Sequence, residues 1–333
     1  MIKWGVIGAG NMGKIFAETI KEVDNAKLIA VASINSKSLD LFSNNFKIKE
    51  ALRFNNYLSI CKNDEIDAIY ISTLNNTHFD LIKMCATNKK HILCEKPFCL
   101  NLDEALEIKK ILIHNNVKFF EAIAYVSHPQ TDYLLKLVND NEIGEIKSIE
   151  SSFGSRIKKV EVESRLFNKK LGGGVILDIG CYPMSFISLF NNNKKELIFK
   201  NIEGEIGKTN VDIAASAEIL MNEKINCKIK VSFKEHFKNN SILYGSKGNI
   251  KINMPWHPSK KAFLEISNND RYFKQFIESD LTLYANQIKN VSSEFLNKSS
   301  NKYNLFNISK AFENMRYLDY WIKNIKQRSQ QPI

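Results

Sequence analysis

Glycine is scarce in this chain and unevenly placed: fourteen in 333 residues, and none between Gly13 and Gly144. Glycine is needed where backbone must turn tightly or approach a ligand closely, so the few positions that carry it stand out. Eight of the fourteen fall in two clusters, Gly5–Gly13 and Gly172–Gly180. Cysteine is sparse as well, and its six residues form no C-x-x-C pair. That argues against a disulfide framework or a zinc site and fits a reducing compartment. The six histidines are dispersed without H-E-x-x-H or facial-triad spacing, so no metal is expected. No apolar run approaches the roughly 18–20 residues of a membrane helix. A strand pattern begins at Ile2, leaving no room for a signal peptide, and a cytoplasmic protein without a membrane partner is expected.

What is present is the composition of a globular protein, 44% hydrophobic and 25% charged. At 333 residues, two domains are the natural expectation. The net charge of +11 is uneven: residues 1–122 hold 16 Lys/Arg against 14 Asp/Glu, and the remainder 31 against 22. A basic nucleic-acid surface would explain the excess, but no nucleic-acid motif accompanies the lysines, and a solvated positive surface is the favoured reading. An anionic cofactor or substrate would also suit it.

The first third alternates short β-branched runs with helical patterns. Strands are expected at Ile2–Gly8, Lys27–Ser33, Ala68–Ser72, His91–Cys94 and Val117–Ala122. The first helix would turn Ile15, Phe16, Ile20 and Val23 inward, another would span Thr77–Asn88, and Asn101 with Glu104 reads as a capping box. Strands alternating with helices predict an α/β, doubly wound parallel sheet, whose ligand lies at the carboxyl ends of the strands. From about residue 146 the runs lengthen and alternate: Ile146–Phe153, Leu197–Ile206, Val211–Leu220, Cys227–Phe233 and Ile242–Met254, with polar turns such as Asn191–Lys195. These predict an open, mainly antiparallel sheet with one exposed face. Such a face is suited to a homodimer or a dimer of dimers. An aromatic-rich helix over Asn304–Gln327 should pack back on the body. The expected division is a dinucleotide-binding domain over 1–122 and a substrate and oligomerisation domain over 123–333.

Gly8-Ala9-Gly10-Asn11-Met12-Gly13 is G-x-G-x-x-G between an expected strand and an expected helix, the context that gives the pattern meaning. Gly8 permits the tight turn, Gly10 lets backbone approach a pyrophosphate, and Gly13 lets helix pack on strand. The anion would sit on the helix N-terminus. A site for NAD usually carries Asp or Glu about 20 residues on, at the ribose hydroxyls. Here the stretch is Ala32-Ser33-Ile34-Asn35-Ser36-Lys37, without an acid. Hydroxyls and Lys37 would receive a 2′-phosphate that a carboxylate would repel, which favours NADP over NAD.

Cys94-Glu95-Lys96-Pro97 ends a strand at the ligand edge of the sheet. Lys96 is either a surface lysine or a proton donor and electrostatic partner for an alcohol oxygen. A cis Lys96–Pro97 bond is also open at this position. In the second glycine cluster, Asp178 and Tyr182 are four apart and share a helix face, and Pro183 should kink or restart that helix. A tyrosine beside a lysine makes an acid–base pair for carbonyl reduction. A core tyrosine with a capping aspartate explains the same residues equally well.

Gly5–Gly13, T-L-N-N-T-H at Thr73–His78, K-K-H-I-L-C-E-K-P at 89–97 and G-G-G-x-x-x-D-I-G-C-Y together resemble the Gfo/Idh/MocA family along nearly the whole chain. The resemblance implies a Rossmann domain followed by an open-sheet domain that often mediates dimerisation. It implies hydride exchange between nicotinamide C4 and a secondary alcohol or hemiacetal carbon of a sugar, cyclitol or cyclic diol. Lys96 then matches the lysine that touches substrate and cofactor, Asp178 the aspartate of the glycine-rich motif, and Tyr182 stands where many members have histidine. That tyrosine is similar to the branch of dimeric dihydrodiol dehydrogenase and xylose dehydrogenase, where it acts as acid–base and NADP is generally favoured. The arginine often found after the second strand of that branch is absent. Thr73, Asn75, His78, Glu95 and Lys96 fall at cofactor-binding positions, with Gly8, Gly10, Asn11, Met12, Gly13, Ser33 and Lys37. Tyr125, Phe153 and Trp256 fall where the branch lines its substrate pocket with aromatics, although core packing explains them too. His128, in V-S-H-P-Q, resembles a family H-P position.

Two other classes share the fold. A catalytically silent dinucleotide-binding regulator would be expected to lose the E-K-P lysine or the acid–base residue, and both are present. A reductase of a non-sugar substrate, like the biliverdin reductases, is disfavoured by the intact glycine-rich motif.

Overall fold

The computed structural model describes residues 1–191, 195–268, 271–298 and 305–329. Residues 192–194 of the expected polar turn and Asn304 of the expected last helix lie outside the described residues. In chain order the elements are β1 (Ile2–Ile7), α1 (Asn11–Thr19), β2 (Ala26–Ala32), α2 (Ser36–Asn45), β3 (Arg53–Phe54), α3 (Tyr57–Lys62), β4 (Ala68–Ile71), α4 (His78–Thr87), β5 (His91–Cys94), α5 (Leu102–Asn115) and β6 (Phe119–Glu121). There follow α6 (Pro129–Asn139), β7 (Ile146–Gly154), α7 (Cys181–Ser188), β8 (Ile198–Ile206), β9 (Asp212–Met221), β10 (Ile225–Ser232), β11 (Asn240–Gly245) and β12 (Gly248–Asn253). Then come β13 (Lys261–Asn268), β14 (Arg271–Glu278), α8 (Leu283–Phe295) and α9 (Ile308–Ser329). The chain folds into two compact units: Met1–His128 with Asp280–Phe312, and Pro129–Ser279 with Glu313–Ile333.

In the first unit six strands run in the order β3-β2-β1-β4-β5-β6, every pair parallel. The order reverses between β1 and β4, and in such sheets the ligand crevice opens at that point, beyond the carboxyl ends of the strands. Both faces are covered: all four residues of β4 and every residue of β1 except Lys3 are buried, as their largely apolar sequences require. α5 begins as its sequence predicts, with Asn101 Oδ1 accepting the Glu104 N–H at 2.9 Å. The reciprocal bond differs, because Glu104 Oε2 reaches the N–H of Leu100 at 2.9 Å. α8, which periodicity did not reveal, seals the sheet at Trp4. The indole donates to Ser292 Oγ at 3.1 Å and packs between Phe16 and Phe295.

The second unit holds eight strands, ordered β14-β13-β12-β11-β7-β10-β9-β8. Neighbours are antiparallel except β7 and β10, which run parallel. The expected strand Ile242–Met254 is instead a hairpin, β11 and β12, turning at Ser246–Lys247. Glycines flank the turn because a Cβ at Gly245 or Gly248 would meet a backbone oxygen at 2.1 or 2.0 Å. One face is buried and one open: along β10, Ile225, Cys227, Ile229 and Val231 point inward while Asn226, Lys228 and Lys230 point outward. α9 packs within this unit, where Leu197 N–H donates to the Tyr317 hydroxyl at 3.1 Å and Trp321 is fully buried. Lys169–Ser188 has the length and mean hydropathy (1.3) of a membrane crossing, but 83% of its apolar window is buried in the protein. Its glycines and a change of helix type break it into short turns.

Candidate active site

The first glycine cluster forms the turn from β1 into α1, and its three glycines meet different constraints. Gly8 has φ +107°, and a Cβ there would lie 2.9 Å from the Ser72 carbonyl group. Ser72 Oγ also donates to the Gly8 oxygen at 2.9 Å, tying the turn to the end of β4. A Cβ on Gly13 would stand 2.2 Å from the Gly8 oxygen, so helix and turn touch only because glycine is there. Gly10 is the contrast: its φ is −81° and a Cβ would meet nothing within 4 Å. The fold does not require glycine at that position, and the space it leaves lies at the N-terminus of α1. The first turn of α1 has no acidic residue and no side-chain cap, so its amides remain available to an anion. This is a cradle that a side chain would fill, and it fits a dinucleotide pyrophosphate. Asn11 is exposed and Met12 half-buried beside it.

At the end of β2, Ser33 is buried and its hydroxyl lies within 3.3 Å of both main-chain polar atoms of Asn35. Asn35 caps α2 through the Ser38 N–H at 2.9 Å. Lys37 is exposed in the first turn of α2, which holds no carboxylate.

Beyond β4 and β5 two loops are fastened together. Thr73 and Thr77 share a hydroxyl hydrogen bond of 2.7 Å, and Asn75 is buried. His78 was expected at the cofactor; it is fully buried, with Nδ1 2.8 Å from the Pro97 oxygen and Nε2 3.2 Å from the Thr73 oxygen. Burial holds its pKa below the usual imidazole range, aided by the charge of Lys96. Its ring braces the β4 loop against the charged turn. The Lys96–Pro97 peptide is cis. Glu95 is buried, takes the Tyr70 hydroxyl on Oε1 at 2.5 Å and the Lys96 amide on Oε2 at 3.3 Å. Burial pushes the Tyr70 phenol well above its ordinary range, and the Glu95 charge adds to this. Lys96 is half-buried at the head of this arrangement. Tyr125 lies in the same unit, 1% exposed in a short turn packed against α8. His128 ends that turn, fully buried, its N–H bonded to the Tyr125 oxygen at 3.1 Å.

The second glycine cluster is built within the other unit. Gly174 has φ +128°, and a Cβ there would strike Asp212 Oδ1 at 2.4 Å. Asp212, from β9, accepts the Ile176 N–H at 2.7 Å and so holds the start of the following helix. That helix opens with a π-helical turn, Ile176–Gly180, and continues as α7 with Pro183 in its first turn, where no amide is needed. Asp178 lies in the π turn, a feature often found at functional sites. It pairs with Arg165 at 2.7 Å. Tyr182 is 8% exposed, and its ring lies 5.5 Å from Phe153, 5.8 Å from Trp256 and 5.9 Å from His257. Trp256 is anchored by its indole N–H on the Ser152 oxygen at 3.3 Å. Tyr182 thus lies with Phe153, Trp256 and His257, and Asp178 with Arg165, while Asp212 holds the start of their helix; Arg165, His257 and Asp212 are what the fold adds. Nothing local in the sequence marked those three; the three consecutive glycines before an uncapped helix were the one signal that a distant acceptor such as Asp212 was needed.

Residues 2–123 match the model of an oxidoreductase family with an NAD-binding Rossmann fold, and residues 132–251 that of the GFO/IDH/MocA C-terminal domain. Trans-1,2-dihydrobenzene-1,2-diol dehydrogenase of Xenopus tropicalis is 30% identical over 262 residues, 77% of each chain. D-xylose 1-dehydrogenase (NADP(+)) 2 of Haloferax volcanii is 28% identical over 187 residues, 56% of each chain. A 3-ketoreductase from Actinomadura kijaniata, solved with NADP and TDP-benzene, has the same fold, with a TM-score of 0.84, 20% identity and 96% of both chains covered.

Proposed function

The chain belongs to the Gfo/Idh/MocA oxidoreductase family, and from that premise we propose that it is an NADP-dependent dehydrogenase or reductase of a cyclic diol, sugar or cyclitol. The enzyme class follows from the family: an NAD(P)-dependent oxidoreductase acting on CH–OH groups. The observation that carries the reading is the cradle at Gly10, open space over an uncapped helix N-terminus in the first turn of a doubly wound sheet. The absence of an acid between Ser33 and Lys37 supports NADP over NAD.

NADP, when bound, supplies or accepts the hydride. The remaining chemistry falls to side chains. Lys96 holds the substrate oxygen and stabilises negative charge on it. Tyr182 gives or takes the hydroxyl proton, with Phe153 and Trp256 supplying an apolar wall for the substrate ring. Asp178, held by Arg165, orients substrate hydroxyls as an acceptor. Thr73, Asn75 and Glu95 frame the cofactor side, and His78 keeps their loops in place. Tyr125 contributes a further aromatic to substrate binding. We assign the open face of the eight-stranded sheet, a polar surface with a hollow of about 400 Å³, to a second copy of this chain.

The test is a screen of NADP⁺ reduction with trans-1,2-dihydrobenzene-1,2-diol, D-xylose and inositols. Lys96→Ala should abolish turnover of the best substrate, and Tyr182→Phe should lower kcat by about 10²–10⁴-fold. Near-normal turnover in either variant would overturn its assigned role. Tight NADPH binding with no turnover of any alcohol would favour the silent-regulator reading.

A further inference from the structure

Glu121 has no part in the roles assigned above, yet at 2% exposure it is buried more deeply than any other described carboxylate. It closes β6, in register with Cys94 of β5. Its main-chain N–H donates to the Phe306 oxygen at 2.9 Å, and the next N–H, of Ala122, to the Cys94 oxygen at 2.7 Å. Its side chain faces the charged turn: Oε1 accepts the Phe98 N–H at 3.1 Å, two residues beyond Lys96. Oε2 is buried with no hydrogen-bond partner among the described residues. The charges of Lys96 and Glu95 both act on this carboxyl. The other titratable groups around the turn are Tyr70 on Glu95, Cys94 beside both glutamates, Tyr284 near Glu95 and Lys96, and His78 near Lys96.

We propose that Glu121 is a positioning residue for Lys96: it pins the chain just past Pro97 through the Phe98 amide and sets the electrostatic surroundings of the ammonium group. The proposal rests on the assignment of Lys96 to the substrate oxygen. Its physical core is a mismatch between cost and need. Accepting one backbone N–H requires only an amide oxygen, and glutamine would supply that without burying an acid. A carboxyl is needed only if its charge matters to a neighbour, and the neighbouring cation is Lys96. Burial pushes the carboxyl up to about 8, against the lowering pull of the Phe98 amide and Lys96. The group therefore passes from neutral acid to carboxylate in the range where proton transfer to an alcohol operates.

The test reads Lys96 directly and needs no substrate. Lysines of the full-length protein are reductively methylated with ¹³C-formaldehyde, and the Lys96 resonance is identified by its absence in Lys96→Ala. In the wild type this resonance should carry an inflection near pH 8, reporting the charge of Glu121. In Glu121→Gln, which keeps an acceptor for Phe98, the inflection should vanish while the melting temperature does not fall. If Glu121→Gln does not fold, Glu121→Asp, with the carboxyl drawn back by one methylene, must move the inflection. A Lys96 titration that is unchanged in the variant that folds overturns the proposal. Normal turnover in Lys96→Ala would instead sink the assignment of Lys96 and leave the measured coupling standing, so the two failures are distinguishable.

Discussion

Arg165 and Asp178 form an ion pair, Nη1 to Oδ1 at 2.7 Å, between a half-exposed guanidinium and an aspartate whose side chain is 12% exposed. Solvent screens the arginine end, so the pair is worth roughly 0.2–1 kcal/mol to the fold. Its larger consequence is directional, since it fixes which way the Asp178 carboxylate faces. Arg165→Ala should shift the melting temperature by only about 1–3 °C. It should lower kcat/KM for the screened alcohol by about tenfold, and Arg165→Lys should recover only part, because an ammonium lacks the planar fork. Thermal melts beside steady-state kinetics check this; a stability loss with unchanged kinetics would make the pair purely structural.

The two later glycines of the phosphate turn should separate folding from binding. Gly10→Ala adds a methyl group into empty space at an ordinary φ, so unfolding in urea should be unchanged. Its NADPH affinity, followed by fluorescence titration, should fall by at least about tenfold, since glycine at this motif position lets the protein backbone approach a pyrophosphate. Gly13→Ala should do the reverse in emphasis: a methyl 2.2 Å from the Gly8 oxygen forces helix and turn apart and should cost about 1–3 kcal/mol. Equal destabilisation by both variants would contradict this division.

Cofactor choice can be shifted at one position. Ser33 directly follows β2, where a ribose-binding acid would stand, and Ser33→Asp would place a carboxylate against a 2′-phosphate. The ratio of NADPH to NADH affinity should drop by about tenfold or more, measured by titration of both coenzymes. A ratio that does not move would show that the 2′-phosphate is held elsewhere.

Glu121 also predicts how stability varies with pH. The folded protein keeps this proton until about pH 8, whereas an unfolded glutamate releases it near 4.5. Between those values the folded state binds more protons than the unfolded state, so stability falls as pH rises, by at most about 1.4 kcal/mol per pH unit. Below pH 4.5 both states are protonated and the penalty is absent. Glu121→Gln should flatten the slope across that window, as read from urea midpoints at successive pH values. Parallel curves for variant and wild type would show that Glu121 does not titrate there.

Much of the first unit was legible because its signals are local. A strand buried on both faces must be largely apolar, and β1, β2, β4 and β5 are, with Lys3 and Lys27 the exposed exceptions near the starts of β1 and β2. The α5 cap at Asn101 needs only residues within one turn. In the second unit the same reasoning failed where information was distant. Ile242–Met254 holds a local break at Gly245-Ser246-Lys247-Gly248, but it is the pairing of β11 with β12 that shows the chain reversing there. β13, β14 and α8 were missed: the first two are amphipathic strands among many polar residues, and α8 earns its place by burying Ser292 and Phe295 against Trp4. His78 illustrates the same limit within the motif itself, since its neighbours Thr73 and Pro97 lie on two different loops.

By itself, the sequence determined the parallel sheet and the phosphate turn, because strand–helix alternation and the G-x-G-x-x-G spacing are local, while Lys96, Asp178 and Tyr182 became candidates through the family resemblance of their motifs. Tertiary structure alone decided that Gly10 is free of steric demand while Gly13 is not, that Asp178 faces Arg165, and that Glu121 is sealed beside Lys96. Those facts depend on atoms brought together from separate strands and loops, and packing and burial, unlike periodicity, are properties that no short stretch of chain possesses.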